Sequence, residues 1–231
     1  MDYISEGFIT ALKLLFSGNE ETFSAVFATL KVSSLSIAFT LLVGVPAGFI
    51  LSTSKFPGKN GIRVVVDTLL ALPTVVVGLL VYAFISRRGP FGELGMLFTL
   101  KGIAVGQFIL ALPIVISLTA TAVEALDDQV KLTLKTLGAN RKQVLVGTLY
   151  EARYSVLVAA LTAYGRIISE VGISMMLGGN IKWHTRTITT AIALETGKGE
   201  FAMGLALGMV LLGLAFSVNL FLSRFKRKAS I

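Results

Sequence analysis

Arg166 and Glu170, two oppositely charged residues four positions apart, interrupt an otherwise uncharged run over residues 154–177. Residues at i and i+4 share one face of a helix, so the two charges can neutralise each other. A charge inside a membrane helix costs at least about 2.5 kcal/mol, and such a residue usually has a partner or a function. Two interpretations stay open: a structural pair that locks this helix to its neighbours, or a pair that borders the path of an anion.

A polar segment follows this run and carries hydroxyl, amide and cationic side chains. Donors of these kinds suit a tetrahedral oxyanion, which accepts several hydrogen bonds and carries two charges. A solvated loop, or a docking surface for another protein, fits the same composition. The residues concerned are Asn180, Lys182, His184, Thr185, Arg186 and Thr187.

Sequence signatures of enzymes are absent. The chain has no cysteine and one histidine, which excludes thiolate sites and most metal and triad chemistry. No G-x-x-x-x-G-K-[ST] phosphate loop occurs, and the nearest string, Gly197-Lys198-Gly199, lacks the leading glycine and the hydroxyl residue. We therefore predict a protein that is not an enzyme and has no nucleotide site of its own.

The composition indicates a membrane protein. Of 231 residues, 54% are apolar and 15% are charged, against about 25% charged in a soluble domain. The net charge of +8 would suggest nucleic acid in a soluble protein, but so apolar a chain favours membrane lipid as its surroundings. Five runs are long enough to cross about 30 Å of hydrocarbon as helices. They cover Val32–Ser54, Thr68–Ser86, Gly102–Val123, Tyr154–Leu177 and Phe201–Ser223. The predicted fold is all-α and polytopic.

The two ends of the chain differ from these runs. In Met1–Phe16, one helical stripe consists of Ile4, Phe8, Leu12 and Leu15, which predicts an interfacial helix. Five spans put the ends on opposite sides. Twelve Lys and Arg residues fall on the side of the basic tail, residues 224–231, and eight on the other side. By the positive-inside rule the N-terminus lies outside and the C-terminus in the cytoplasm.

A segment without strong membrane character, about residues 124–153, lies between the third and fourth spans. Gly138 can end a short helix in the left-handed conformation, and Asn140 can cap the next one. Local physics thus predicts two short helices that meet at a sharp corner. A plain amphipathic connector is the alternative.

These residues resemble a family. Thr136-Leu137-Gly138-Ala139-Asn140-Arg141, followed by Gly147-Thr148-Leu149 and Ala152-Arg153, is similar to the EAA loop of binding-protein-dependent ABC importer permeases. Arg166, Glu170, Gly172, Gly179-Asn180-Ile181, Thr185 and Thr187 resemble the molybdate and tungstate branch. Leu132, Thr133 and Leu134 stand where the family has Glu-Ala-Ala, and Tyr150 replaces its usual proline.

The resemblance implies an importer subunit with three kinds of partner: a second copy of itself, cytoplasmic ATPase subunits that use ATP, and an extracytoplasmic binding protein. The likeness covers about residues 23–223. Together with the residue patterns at the two ends, it divides the chain into an interfacial helix over residues 1–18, a transmembrane domain over 19–223 and a basic tail over 224–231. The coupling segment to the ATPase is then Thr136, Leu137, Gly138, Ala139, Asn140, Arg141, Lys142 and Gln143. The substrate pathway is then Arg166, Ser169, Glu170, Gly172, Asn180, Thr185 and Thr187.

The sequence therefore predicts an inner-membrane permease for a tetrahedral oxyanion, tungstate first and molybdate second. Within the same class, sulfate or phosphate is the alternative substrate. A stand-alone secondary transporter or channel is the alternative from a different class. Inverted repeats and broken helices would favour that alternative, and neither is clear in the sequence.

Overall fold

The computed structural model describes residues 2–126 and 128–227, which form ten α-helices and no strand. The predicted all-α class is confirmed. The first helix, α1, covers Asp2–Phe16, and Gly18 follows it with a φ of +66°. Gly7 and Ala11 form the buried face of α1, while the predicted apolar stripe that contains Ile4 and Phe8 stays exposed. An exposed apolar stripe suits the predicted interfacial position.

Two long helices form the centre of the bundle: α2, Glu20–Thr53, and, later in the chain, the helix Leu100–Glu124. Gly44 and Gly48 of α2 face that later helix, and a Cβ on Gly48 would lie 2.6 Å from the carbonyl oxygen of Ile116. Small residues one turn apart let membrane helices approach closely. This glycine pair therefore packs within one subunit.

The prediction of one continuous span over Thr68–Ser86 is wrong. Two helices occupy this region, α3 over Lys59–Leu69 and α4 over Thr74–Ile85, and their axes differ by 102°. Pro73 lies at the break because it has no N–H to continue a helix and disfavours helical backbone in the residue before it. A loop with a 3-10 turn at Gly92–Leu94 then leads to α5, Leu100–Glu124.

The second half of the chain begins with α6, Asp128–Thr136, and α7, Arg141–Ile168. The predicted span Tyr154–Leu177 has the wrong bounds. The membrane helix starts at Arg141, thirteen residues earlier than predicted, and ends at Ile168. The last thirteen residues of the predicted connector 124–153 therefore belong to α7. The remaining helices are α8 over Gly172–Gly178, α9 over Ile188–Gly197 and α10 over Phe201–Arg227.

Four described helices are long and apolar enough to cross a membrane, and the bent pair α3 and α4 raises the number to five. The prediction of about five spans agrees with this count. Two breaks interrupt the helices, one at residues 70–73 between α3 and α4 and one at residues 169–171 between α7 and α8. The two breaks are neighbours, because Gly172 lies against Thr74 and Val75.

Candidate translocation path and coupling corner

One side of α7 is open and polar. Every exposed residue from 151 to 169 is polar or glycine. These residues recur at helical spacing and form one stripe, which we call the polar face. It consists of Glu151, Ser155, Thr162, Gly165, Arg166 and Ser169.

Other helices cover the remaining sides of α7. Gln107 of α5 donates a hydrogen bond to the carbonyl of Ile167 at 3.1 Å, and the Tyr164 hydroxyl lies 3.5 Å from the Ser34 hydroxyl of α2. Ile168 and Val218 of α10 line the same small cavity. Between residues 151 and 169, the polar face is therefore the side of α7 that no helix of the same chain covers.

Exposed surfaces elsewhere in the bundle have the opposite character. Exposed positions on α2 include Phe27 and Leu42, those on α4 include Leu79, and those on α10 include Leu212 and Phe216. Such surfaces suit contact with lipid tails. A face that carries two charged and three hydroxyl side chains does not, because polar groups on membrane helices turn towards the bundle interior or a water-filled cavity.

Arg166 and Glu170 form the predicted pair. Arg166 Nη1 donates to Glu170 Oε2 at 2.8 Å, and the Glu170 side chain is only 3% exposed. Glu170 Oε1 accepts the backbone N–H groups of Gly172 at 3.1 Å and Ile173 at 3.4 Å. The carboxylate thus satisfies the first free amides of α8 and also holds Arg166, so it ties the end of α7 to the start of α8.

The backbone at Glu170 is equally engaged. The hydroxyls of Ser174 and Thr189 both donate to its carbonyl oxygen at 3.0 Å. Gly172 packs beside Val75 of α4: a Cβ added to Gly172 would lie 3.3 Å from Val75 Cγ2. Glu170 and Gly172 therefore shape the break after α7, whereas Arg166 and Ser169 belong to the polar face. Glu170 is buried at the break, which agrees with a structural role, and Arg166 is exposed on the open side of α7. That the pair borders the path of an anion stays a prediction.

The polar loop between α8 and α9 is folded onto the protein by its own side chains. Thr185 is fully buried; its hydroxyl donates to the carbonyl of Gly178 and accepts the N–H of Ile181 at 3.0 Å. Thr187 begins α9 in a reciprocal capping arrangement with Thr190. Each hydroxyl has a structural hydrogen-bond partner, and a direct part for these residues in the substrate pathway stays a prediction.

The cations of this loop are paired as well. Lys182 Nζ lies 2.7 Å from Glu21 Oε2, and Arg186 binds the other oxygen of the same carboxylate. Arg186 Nε also donates to Asn180 Oδ1 at 3.1 Å. Glu21 is in the first turn of α2, so these contacts clamp the loop to the start of α2. The two cations face a protein carboxylate, which competes with any anion for them.

Replacing Thr185 by valine tests whether this loop is primarily structural. Valine has the same shape as threonine but leaves the Gly178 carbonyl and the Ile181 N–H without their hydrogen-bond partner. In a buried site this lowers the stability of the fold by about 1–3 kcal/mol. We expect the melting temperature of the purified permease to fall, and Thr185→Ser to keep it. Loss of transport by Thr185→Val with an unchanged melting temperature would instead place this hydroxyl in the substrate path.

The predicted corner is present between α6 and α7. Gly138 has a φ of +81°, and the N–H of Ala139 donates to the Leu134 carbonyl at 3.0 Å. Asn140 Oδ1 accepts the N–H of Gln143, and Gln143 Oε1 accepts the N–H of Asn140. These local bonds fix the turn, as the sequence predicted.

The coupling segment, Thr136–Gln143, is almost entirely exposed. Leu137 at its tip is 78% exposed, more than any other large apolar side chain described. The same segment carries two positively charged side chains, Arg141 and Lys142, and both are exposed. Leu134 packs against Gly147 and holds α6 to the side of α7. A Cβ added to Gly147 would lie 2.8 Å from Leu134 Cδ1. An apolar tip with a basic rim on a rigid corner has the anatomy of a protein docking site.

Gly165 and three polar members of the polar face were not singled out from the sequence. The three polar members are Glu151, Ser155 and Thr162. Their spacing from Arg166 by about one to four helical turns was a usable signal. The sequence does not tell which side of α7 is left open by the other helices. Among the residues that the structure describes, no three His, Asp or Glu side chains gather to hold a metal ion.

Comparison with known proteins places this geometry in a family. Residues 44–231 match the family described as binding-protein-dependent transport system inner membrane component. The chain belongs to this family. The resemblance found in the sequence is therefore confirmed, and the polytopic bundle is that of an inner-membrane permease.

Relatives of this permease extend over its whole length. The tungstate uptake system permease protein TupB of Campylobacter jejuni is 49% identical over 227 residues, 98% of this chain and 95% of that protein. TupB of Peptoclostridium acidaminophilum is 37% identical over 219 residues, 95% of this chain and 96% of that protein. A solved structure of the MetNI methionine ABC transporter in an inward-facing conformation shares the fold, with a TM-score of 0.74 and 18% identity over 90% of this chain and 95% of that chain.

Proposed function

We propose that this permease imports a tetrahedral oxyanion, tungstate before molybdate, as a homodimer. An extracytoplasmic binding protein delivers the anion, and separate ATPase subunits supply the energy, so this chain binds no cofactor and has no nucleotide site. The two relatives named for tungstate uptake support the choice of anion. The pathway predicted from the sequence is part of this proposal.

The observation that carries the proposal is the polar face of α7. A polar stripe on a membrane helix needs water or another polar surface opposite it. Two copies of the chain that bring their polar faces together would enclose a path lined on both sides by hydroxyls, glycine and Arg166. In a homodimer such a contact is self-complementary, because the same face of each copy meets its counterpart.

Coupling to ATP hydrolysis follows from the course of α7. This helix runs without a break from Arg141, in the coupling segment, to Ile168 beside the Arg166 and Glu170 pair. Its 28 residues span about 40 Å. An ATPase bound at the coupling segment would therefore move the polar face through one continuous helix. Alternating access then requires that ATP and the loaded binding protein stabilise different states, or jointly stabilise one.

The orientation in this proposal is N-terminus outside and C-terminus cytoplasmic, from the distribution of Lys and Arg. It puts the coupling segment in the cytoplasm, where an ATPase can reach it. It puts two regions outside, where a binding protein would dock. One is the contact of Glu21 with Lys182 and Arg186, and the other is the loop that contains Arg87 and Arg88.

Uptake in cells with and without this chain tests the proposal. Tungsten, molybdenum and sulfur are measured in parallel by mass spectrometry after a short exposure to each oxyanion. We expect tungsten uptake to fall most on deletion and to return when the chain is restored. Loss of sulfate uptake with tungstate unaffected would overturn the choice of substrate. Unchanged uptake of all three, with an ATPase that does not copurify, would overturn the importer assignment.

A further inference from the structure

We infer that Arg166 binds the transported dianion directly, and that the Arg166 residues of two copies form one site within the path. Glu170 is the positioning residue of this site. The inference rests on the proposed function, because it requires that polar faces of two copies meet. It goes further by assigning a binding site inside the membrane in addition to the one on the binding protein.

The first argument is the free capacity of the Arg166 side chain. A guanidinium carries five N–H donors in a planar fork and cannot lose its charge in a protein. Its one hydrogen bond within residues 2–126 and 128–227 is the one from Nη1 to Glu170, and the side chain is 43% exposed. Donors remain on the open side of α7, and oxyanions are ligands that such a fork binds through two parallel hydrogen bonds.

The second argument is the way in which Glu170 is compensated. Its carboxylate receives three hydrogen bonds, one from Arg166 and two from the amides of Gly172 and Ile173. Because the α8 amides share in stabilising the negative charge, Arg166 is not the only group that neutralises Glu170. Arg166 therefore keeps part of its attraction for a second anion, while the buried carboxylate holds it in place.

The third argument is the charge pattern of the polar face. Arg166 is its one cation, and the neighbouring positions Thr162 and Ser169 are hydroxyls one turn away on either side. The one acid of this face, Glu151, is fifteen positions earlier, about 22 Å along the helix. The face is thus attractive to an anion near the helix break and repulsive near the cytoplasmic end. One arginine per copy gives two positive charges for a doubly charged oxyanion.

A double variant separates this site from a merely structural ion pair. In Arg166→Gln with Glu170→Gln, both charges leave together, so no unpaired charge stays buried, and the two amides can still hydrogen-bond. The complete transporter is reconstituted into vesicles with its ATPase and its tungstate-loaded binding protein. Uptake of tungstate is measured by mass spectrometry, and assembly is measured by size-exclusion chromatography. The matched control is Lys59→Gln with Glu124→Gln, which removes another ion pair on the same chain, 3.9 Å in length, between the start of α3 and the end of α5.

We expect the double variant at positions 166 and 170 to assemble. Its rate of tungstate uptake should be lower than that of wild type by about ten-fold or more, because a charge-assisted contact with the anion is gone. The control pair should retain uptake. Uptake by the double variant at the wild-type rate would overturn the inference and leave the proposed function intact. Failure of the wild-type vesicles to import tungstate would overturn both.

A second measurement covers the case in which the double variant does not assemble. Arg166→Lys keeps the charge and the partner Glu170 but removes the planar fork. Equilibrium dialysis of tungstate against the purified transporter, without binding protein, should show an affinity about ten-fold weaker for this variant than for wild type. Equal affinities, or no binding by the wild type, would overturn the inference.

Discussion

Replacing Gly138 by glutamate is expected to abolish ATP-driven uptake while the membrane bundle stays folded. Gly138 has a φ of +81°, and an added Cβ would meet no atom within 4 Å. The substitution therefore lowers the stability of the fold only by the strain of a left-handed residue, about 1–2 kcal/mol. The new carboxylate, however, lies beside Leu137 at the tip that we propose enters the ATPase. A charge buried in such a contact costs on the order of 2 kcal/mol or more, about thirty-fold in affinity.

Two variants control this experiment. Gly138→Asn introduces a side chain that tolerates the left-handed conformation and carries no charge, so it should keep most of the uptake. Gly18→Glu places the same acid at another left-handed glycine with open space around it, at the far end of α1. Uptake and copurification of the ATPase are measured for all three. Normal copurification and uptake for Gly138→Glu would show that the corner does not contact the ATPase.

Replacing Gly48 by leucine is expected to prevent the bundle from folding correctly. A Cβ at this position would lie 2.6 Å from the Ile116 carbonyl oxygen and 2.8 Å from Thr119 Cβ, so α2 and α5 would have to separate. Overpacking of this kind typically costs about 1–3 kcal/mol, and the cost rises when backbone rather than a flexible side chain must move. We expect little monodisperse protein in detergent and a clearly lower melting temperature.

Gly213→Leu is the matched control for this prediction. Gly213 lies in α10 with no atom within 4 Å of an added Cβ, so a leucine there enters open space. It should purify with the melting temperature of the wild type. A wild-type melting temperature for Gly48→Leu would mean that α2 and α5 do not pack through this glycine.

Features that depend on residues close in sequence were predictable. The turn at Gly138 and Asn140 follows from a left-handed glycine and a capping side chain, both of which act over three or four residues. The Arg166 and Glu170 contact was predicted from their spacing on one helix, and it forms although Glu170 lies two residues past the end of α7. Even so, the bounds of the fourth span were wrong, because a helix that continues from a water-exposed segment into the membrane has no sequence boundary at Tyr154.

The break at Pro73 shows a different limit. Proline within an apolar run is compatible with a kinked span or with two separate helices, because neighbouring helices can satisfy the freed backbone groups. The choice depends on what packs around the break. Here Gly172, at the start of α8, lies against Thr74 and Val75, and this contact connects residues about a hundred positions apart.

The sequence by itself determined that this protein is an all-helical membrane permease of the binding-protein-dependent family, with a corner for coupling and one ion pair within a span. Hydropathy, local capping and helical spacing are sufficient for those conclusions. Only the tertiary structure decided which side of α7 stays open, that Glu170 is buried and Arg166 exposed, and that Glu21 clamps Lys182 and Arg186. These features arise from contacts between distant segments, and the free energy of such contacts depends on the packing of the whole bundle rather than on any local run of residues.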